Sequence, residues 1–216
     1  MNLESFVSEP SALLGIFAAI AVGAISPGPS FVMVARTAVA SSRGDGVGAA
    51  FGMGAGGLVF ATAALLGLHG LLLAVPSLYV VLKVAGGLYL AWLGVRIWRG
   101  AKSELPVAND APGSHSNVVK SFVLGFTTQI SNPKTAIVYA SVFAAFLPGA
   151  PSLAFNVAVV VLVFLIETVW YMVVAIVLSS ARPRGAYLRY KTWIDRLAGG
   201  VMVALGLKLV SSAQPA

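Results

Sequence analysis

The stretch A-I-S-P-G-P-S-F-V-M-V-A, Ala24 to Ala35, lies inside an apolar run long enough to cross a bilayer. Two prolines and a glycine interrupt it. Proline has no amide hydrogen to donate, and its ring clashes with the carbonyl four residues back. Pro27 and Pro29 are therefore expected to free the carbonyls of Gly23 and Ile25. In hydrocarbon an unpaired backbone group is costly, so such a break persists only where it is buried in protein or lines a wet cavity.

The rest of the chain fits that setting. Of 216 residues, 58% are hydrophobic and 10% are charged, against about 25% charged in a soluble domain. A spanning helix needs about 20 mostly apolar residues. Six segments qualify: Ser11 to Thr37, Val47 to Leu73, Ser77 to Trp98, Val118 to Leu147, Leu153 to Leu178 and Trp193 to Val210. The polar stretch Arg99 to Asn117, with Pro106, Pro112 and Gly113, reads as a linker. The expectation is an all-α membrane protein, one transmembrane domain over residues 1–216. Its start is not read as a secretory signal, because Glu4 and Glu9 are the only charges before the first run and a signal needs a basic start. With no cysteine, disulfide and thiol chemistry are excluded.

Net charge is +7, and its placement is informative. Eleven of the fourteen basic residues lie in or beside alternate connections: Arg36 and Arg43; Arg96, Arg99, Lys102 and Lys120; Arg182, Arg184, Arg189, Lys191 and Arg196. The positive-inside rule puts these connections in the cytoplasm and both termini outside. Topology accounts for the charge, and no nucleic-acid partner is expected.

Two pairs of segments match in order. K-V-A-G-G-L-Y-L-A, Lys83 to Ala91, resembles R-L-A-G-G-V-M-V-A, Arg196 to Ala204; I-S-P-G-P-S, Ile25 to Ser30, resembles I-S-N-P-K-T, Ile130 to Thr135. Two halves of three spans follow, about 11–98 and 118–210. An odd number of crossings per half makes the repeat inverted, an architecture of many secondary transporters. Helices 1 and 4 are the broken ones. Pro133 is expected to free the carbonyl of Gln129. A half-helix beginning near Pro29 presents amides and a positive dipole end, which suit a carboxylate. Freed carbonyls suit an ammonium. A zwitterionic amino acid carries both charges, and the expected substrate site comprises Ser26, Pro27, Gly28, Pro29, Ser30, Gln129, Ser131, Asn132, Pro133 and Lys134.

Lys134 and Glu167 are the charged residues expected well inside spans, where a charge is expensive and faces a cavity or a partner. Lys134 is expected to grip a substrate carboxylate or to balance Glu167. Glu167 is the expected proton carrier, since burial opposes its charged form and a nearby cation favours it. Trp170, three residues on, shares nearly the same face, and reads as packing. Gly48, Gly52 and Gly56 form one small-residue face on the second span, for contact inside the fold or for a homodimer. Asp45 reads as a helix cap or a partner of Arg43.

Catalysis finds little support: His69 and His115 lie in different connections, no Ser/His/Asp set converges, and no cofactor is implied. With Glu167 the sole intramembrane acid, a metal site would be poor in ligands. Efflux of a metal cation or another solute, and a non-transporting scaffold, are the alternatives to amino-acid export.

Three stretches together resemble the LysE/RhtB family of bacterial amino-acid exporters: P-G-P at Pro27 to Pro29, L-K-V-A-G-G-L-Y-L-A-W-L-G at Leu82 to Gly94, and N-P-K-T-A at Asn132 to Ala136, preceded by Gly125 and Phe126. R-L-A-G-G-V-M-V-A-L-G-L, Arg196 to Leu207, is similar to the family's last span. The resemblance implies six spans, the bacterial inner membrane, and export of amino acids or related small molecules driven by the proton motive force or by exchange. It carries over to Pro27, Gly28, Pro29, Asn132, Pro133 and Lys134; the family often has Asn where this chain has Ser30.

Overall fold

The structure, a computed structural model, describes residues 3–26, 28–74, 78–103, 117–148 and 151–211. Pro27 and the linker residues 104–116 lie outside them. The described residues form eight helices and no strand: α1 Leu3–Ile25, α2 Pro29–Ala40, α3 Arg43–Ala74, α4 Leu78–Gly100, α5 Val118–Ile130, α6 Pro133–Phe146, α7 Leu153–Leu178 and α8 Ala181–Ser211.

The first and fourth expected segments each divide at their prolines, as α1/α2 and α5/α6. Pro29 and Pro133 open α2 and α6, in the first turn where a missing amide hydrogen costs nothing. Asn132 caps α6, its side chain accepting from the Lys134 amide at 3.0 Å. Gly28 takes the equivalent place before α2, with extended backbone.

Among the described residues, two helices are long and apolar enough to cross a membrane: Arg43–Gly67 within α3, with mean hydropathy 1.8, and Leu153–Leu178, with 2.6. The α1/α2 pair, bent by 55° at its break, makes a third when taken as one span. α5 and α6 are shorter apolar helices.

α7 explains how such a chain packs. Phe155, Val159, Val163, Glu167, Tyr171, Val174 and Leu178 are buried along one face. Leu153, Val157, Val161, Leu165, Val169, Val173 and Ile176 are exposed along the other. Both faces are apolar, as expected of a helix solvated by lipid outside and by protein inside. Two apolar clusters flank its centre. One gathers Ile16, Ile20, Val142, Phe143, Val159 and Val163; the other gathers Phe31, Val34, Met53, Val174 and Ala175. Glu167 lies between them along the helix.

Close backbone approach sets the remaining geometry. A Cβ on Gly48 would lie 2.7 Å from the Val118 carbonyl oxygen; one on Gly52 would strike the Phe122 carbonyl and the Phe126 amide; one on Gly56 would lie 2.7 Å from Gln129 Cβ. The glycine face of α3 is thus filled by α5, running parallel to it. This corrects the expectation of a homodimer through Gly48, Gly52 and Gly56, because that surface is consumed inside the fold. α4 and α8 meet in the same way but antiparallel: Gly94 abuts Gly199 and Val203, and Gly206 abuts Gly87 and Ala91.

Carboxylates hold two pairs of helix starts together. Asp45 accepts from the Asn117 amide, 2.8 Å, at the start of α5. It also accepts from the Ser42 hydroxyl, 2.6 Å, while Ser42 Oγ accepts from the Asp45 amide at 3.1 Å. Asp45 is therefore a cap; Arg43 donates instead to the hydroxyls of Ser179 and Ser180, each at 3.3 Å. Glu9 in α1 accepts from the Ser152 amide and hydroxyl, 2.8 and 3.0 Å, at the start of α7. An anion at a helix N-terminus is favoured by both unpaired amides and the dipole.

Gly52→Val is expected to push α3 off α5 and to cost about 1–3 kcal/mol by overpacking, read as a fall in melting temperature of the purified protein in detergent. Gly67→Ala, where nothing lies within 4 Å, is expected to leave the melting temperature unchanged or raise it, since alanine is the better helix former.

Candidate functional site

The two breaks meet. Lys134, the second residue of α6, extends its ammonium to the broken end of α1, where Nζ donates to the Ser26 carbonyl at 2.7 Å and to the Gly23 carbonyl at 3.1 Å. Gly23 is one of the carbonyls expected to be freed by proline, and its partner is the protein's own cation. A cation at a helix C-terminus also meets the negative end of the dipole. The aliphatic stem of Lys134 passes Gly28, where a Cβ would stand 3.2 Å from Lys134 Cδ. At the second break the expectation fails. The Gln129 carbonyl is not left free, because the chain tightens into a turn and the Asn132 amide donates to it at 3.2 Å.

Side chains from both breaks form a chain of hydrogen bonds. Asn132 Nδ2 donates to Ser30 Oγ at 2.8 Å, and Ser30 Oγ donates to Gln129 Oε1 at 2.7 Å. Glu167 comes in from α7, and the Tyr139 hydroxyl donates to its Oε1 at 2.9 Å. Gly57 of α3 makes room for this pair: a Cβ there would lie 3.0 Å from the Tyr139 oxygen and 3.1 Å from Glu167 Cγ. No ion pair joins Lys134 to Glu167. Glu167 is 3% exposed and Gln129 fully buried. Glu167 Oε2, Gln129 Nε2, Ser26 Oγ and Thr168 Oγ1 have no hydrogen-bond partner. A buried polar atom without a partner costs about 1–3 kcal/mol. Two of them, on Ser26 and Glu167, belong to residues that line one cavity and mark a place made for a polar guest.

Ser26, Gly28, Ser30, Asn132, Lys134 and Glu167 line one small cavity, together with Tyr139 and Tyr171. Its volume is about 20 Å³, room for one water molecule. A second cavity of about 380 Å³ shares Ser26, Gly28 and Lys134 with it, and runs past Pro29, Asp195 and Lys191 to Arg96, Gly100 and Ser103. Lys134 stands where the two adjoin. Of the expected site residues, Gln129 acts from behind Ser30, Pro29 lines the wider cavity alone, and Ser131 is exposed and lines neither. Pro133 opens α6, and Pro27 lies outside the described residues. Tyr171 lines the cavity and Trp170 does not: the turn of α7 brings the fourth residue after Glu167, rather than the third, to the inner face.

Asp195 was not expected. Its Oδ2 accepts from Lys191 Nζ at 2.7 Å in a buried pair four residues apart on α8. The sequence signal was present, since Lys191 and Asp195 have the spacing of a helical ion pair. It was hidden because both residues fall at the edge of an expected span, where charges need no explanation.

The site can be set beside known proteins. Residues 21–213 match the family described as LysE type translocator. The threonine efflux protein of Salmonella typhi is 35% identical over 194 residues, covering 88% of this chain and 93% of its own length. The threonine efflux protein of Escherichia coli K12 is 34% identical over 192 residues, with the same coverage. An uncharacterized membrane protein of Haemophilus influenzae is 29% identical over 191 residues, 87% of this chain and 90% of its own. No solved structure matches the chain significantly. The family resemblance read from the proline breaks and the paired glycines therefore holds over nearly the whole length. The chain belongs to the LysE type translocator family, and is a multi-pass membrane transporter rather than an enzyme.

Proposed function

We propose that the protein is a secondary-active exporter of small neutral amino acids such as threonine, coupled to protons and working by alternating access around the breaks between α1 and α2 and between α5 and α6. The observation that carries this reading is the Lys134 ammonium seated on the Gly23 and Ser26 carbonyls. A zwitterion can exchange with that arrangement: its ammonium takes the carbonyls, and Lys134, released, takes its carboxylate. The Ser30–Asn132–Gln129 chain lies beside the exchange. Glu167 is the proton carrier in this scheme, with Tyr139 holding one oxygen and the other buried without a partner in a residue that lines the cavity. The names of the threonine efflux relatives support the substrate class.

Six crossings in two inverted halves belong to the same proposal. Exchanging α1 with α5, α2 with α6, α3 with α7 and α4 with α8 turns the contact of α1 with α6 into that of α5 with α2, and the contact of α1 with α7 into that of α5 with α3, and all four exist; the contacts of α4 with α6, α2 with α3 and α1 with α8 have no counterpart of similar extent. The same exchange maps the helix pair clasped by Glu9, α1 with α7, onto the pair clasped by Asp45, α5 with α3, with the carboxylate on the opposite member. The two A-G-G segments lie on α4 and α8, which pack on each other. The wide cavity opens towards Arg96 and Lys191, the basic side, so the state described is open to the cytoplasm in this reading.

Inverted membrane vesicles holding the protein are expected to accumulate labelled L-threonine when the lumen is acidic and to lose it on adding a protonophore. No accumulation of any small neutral amino acid would refute the exporter reading. Glu167→Gln is expected to reduce gradient-driven uptake to that of empty vesicles while threonine-for-threonine counterflow continues; loss of neither makes Glu167 structural. Lys134→Gln keeps a donor for the carbonyls but loses the charge, and is expected to yield folded protein without transport. Because the chain has no cysteine, Ser103→Cys and Leu153→Cys each give a single label site. In intact cells a membrane-impermeant maleimide is expected to label the Leu153 variant and to spare the Ser103 variant; the reverse pattern overturns the orientation.

A further inference from the structure

We infer that the wide cavity between α4, α8 and the first break is a second binding site, one that receives the amino acid before it reaches the inner pocket and selects a neutral zwitterion over a cationic one. The inference rests on the proposed function for the identity of the ligand, and on the cavity itself for the site. The inner pocket holds about one water as it stands, whereas the cavity beside it, of about 380 Å³, has room for the whole molecule.

The polar lining of this cavity is uneven in a useful way. Asp195 is 3% exposed. One of its carboxylate oxygens is taken by Lys191, and the other, Oδ1, is buried with no partner. Lys191 is doubly engaged, donating also to the Ala101 carbonyl at 3.2 Å, so it holds Asp195 in place and leaves Oδ1 as the free acceptor. An ammonium group fits that oxygen. Arg96 of α4 lines the same cavity, its guanidinium 5.3 Å from the centre of the Trp92 ring. Stacking there orients the fork without using its hydrogen-bond donors. A carboxylate fits those donors. Tyr89 also lines the cavity.

The charges facing the cavity are Arg96, Lys134 and Lys191 against Asp195. The excess is positive, which draws in a carboxylate and repels a second cation. An amino acid with one ammonium and one carboxylate satisfies Asp195 and Arg96 together. One with a cationic side chain adds a charge where three cations already stand. The cavity ends inward at Lys134, whose ammonium must leave the carbonyls of Gly23 and Ser26 for the ligand to move on.

The test is equilibrium binding of labelled L-threonine to the full chain in lipid nanodiscs, run beside transport in liposomes. Asp195→Asn is expected to weaken binding at least about tenfold, the loss of a charge-assisted hydrogen bond, and Asp195→Glu to recover much of it. Arg96→Gln, on an exposed side chain, is expected to weaken binding several-fold and to reduce its dependence on salt. L-Lysine is expected to compete at least about tenfold more weakly than L-serine. Size-exclusion profiles show whether the Asp195 variants fold, and the Arg96 variant decides the matter if they do not. Binding that is indifferent to both Asp195→Asn and Arg96→Gln overturns the site, as does a chain that binds no threonine. Binding with these sensitivities but no transport overturns the exporter reading and leaves the site standing.

Discussion

An ammonium inside the fold, with two backbone carbonyls for company, is the interaction on which the rest of the arrangement turns. The proline break ends α1 with carbonyls pointing at nothing, a state that neither lipid nor a close-packed interior tolerates. Lys134 resolves this from the start of α6, and in doing so ties one broken helix to the other. Each group supplies what the other lacks. The carbonyls gain a donor and the cation gains the negative end of a helix. Neither would be stable at this depth alone, and a competitor with the same chemistry can take either place.

Much of this was legible in the chain, for definite reasons. Pro27 and Pro29, with Gly28 between them, weaken a helix at one point far more than the single Pro10 inside α1 does, so a division into α1 and α2 was to be expected there. Lys134 and Glu167 stood out because charge is scarce in apolar runs. Faces were harder to read. In a soluble helix the polar side reveals the buried side, but α7 is apolar on both, so nothing in its pattern says that Tyr171 looks inward and Trp170 does not. Gln129 failed as a source of a free carbonyl because the turn at Ser131 and Asn132 supplies a backbone donor that the proline rule alone does not foresee. Asp195 was overlooked because the edge of a span is where charges are ordinary.

The glycines teach the same lesson about distance. Gly48, Gly52 and Gly56 were recognisable as a surface for close approach, but a surface does not name its partner. α5 fills it, and does so with its backbone, carbonyl and amide of successive turns lying where a methyl group would be. The antiparallel pair α4 and α8 uses Gly94, Gly199 and Gly206 to the same end. In lipid, where apolar burial gives no preference for one helix over another, such intimacy is what holds spans together.

The clasps at Asp45 and Glu9 carry a mechanical meaning beyond capping. Each fixes the beginnings of two parallel helices at a common level, α3 with α5 and α1 with α7. One member cannot slide along the other without tearing a carboxylate from backbone amides it has captured. Pivoting costs far less, because a short bond at one end is a good hinge. In the proposed alternating-access cycle such joints favour rocking over sliding, with the ends of α1 and α5 meeting at the breaks beside Lys134.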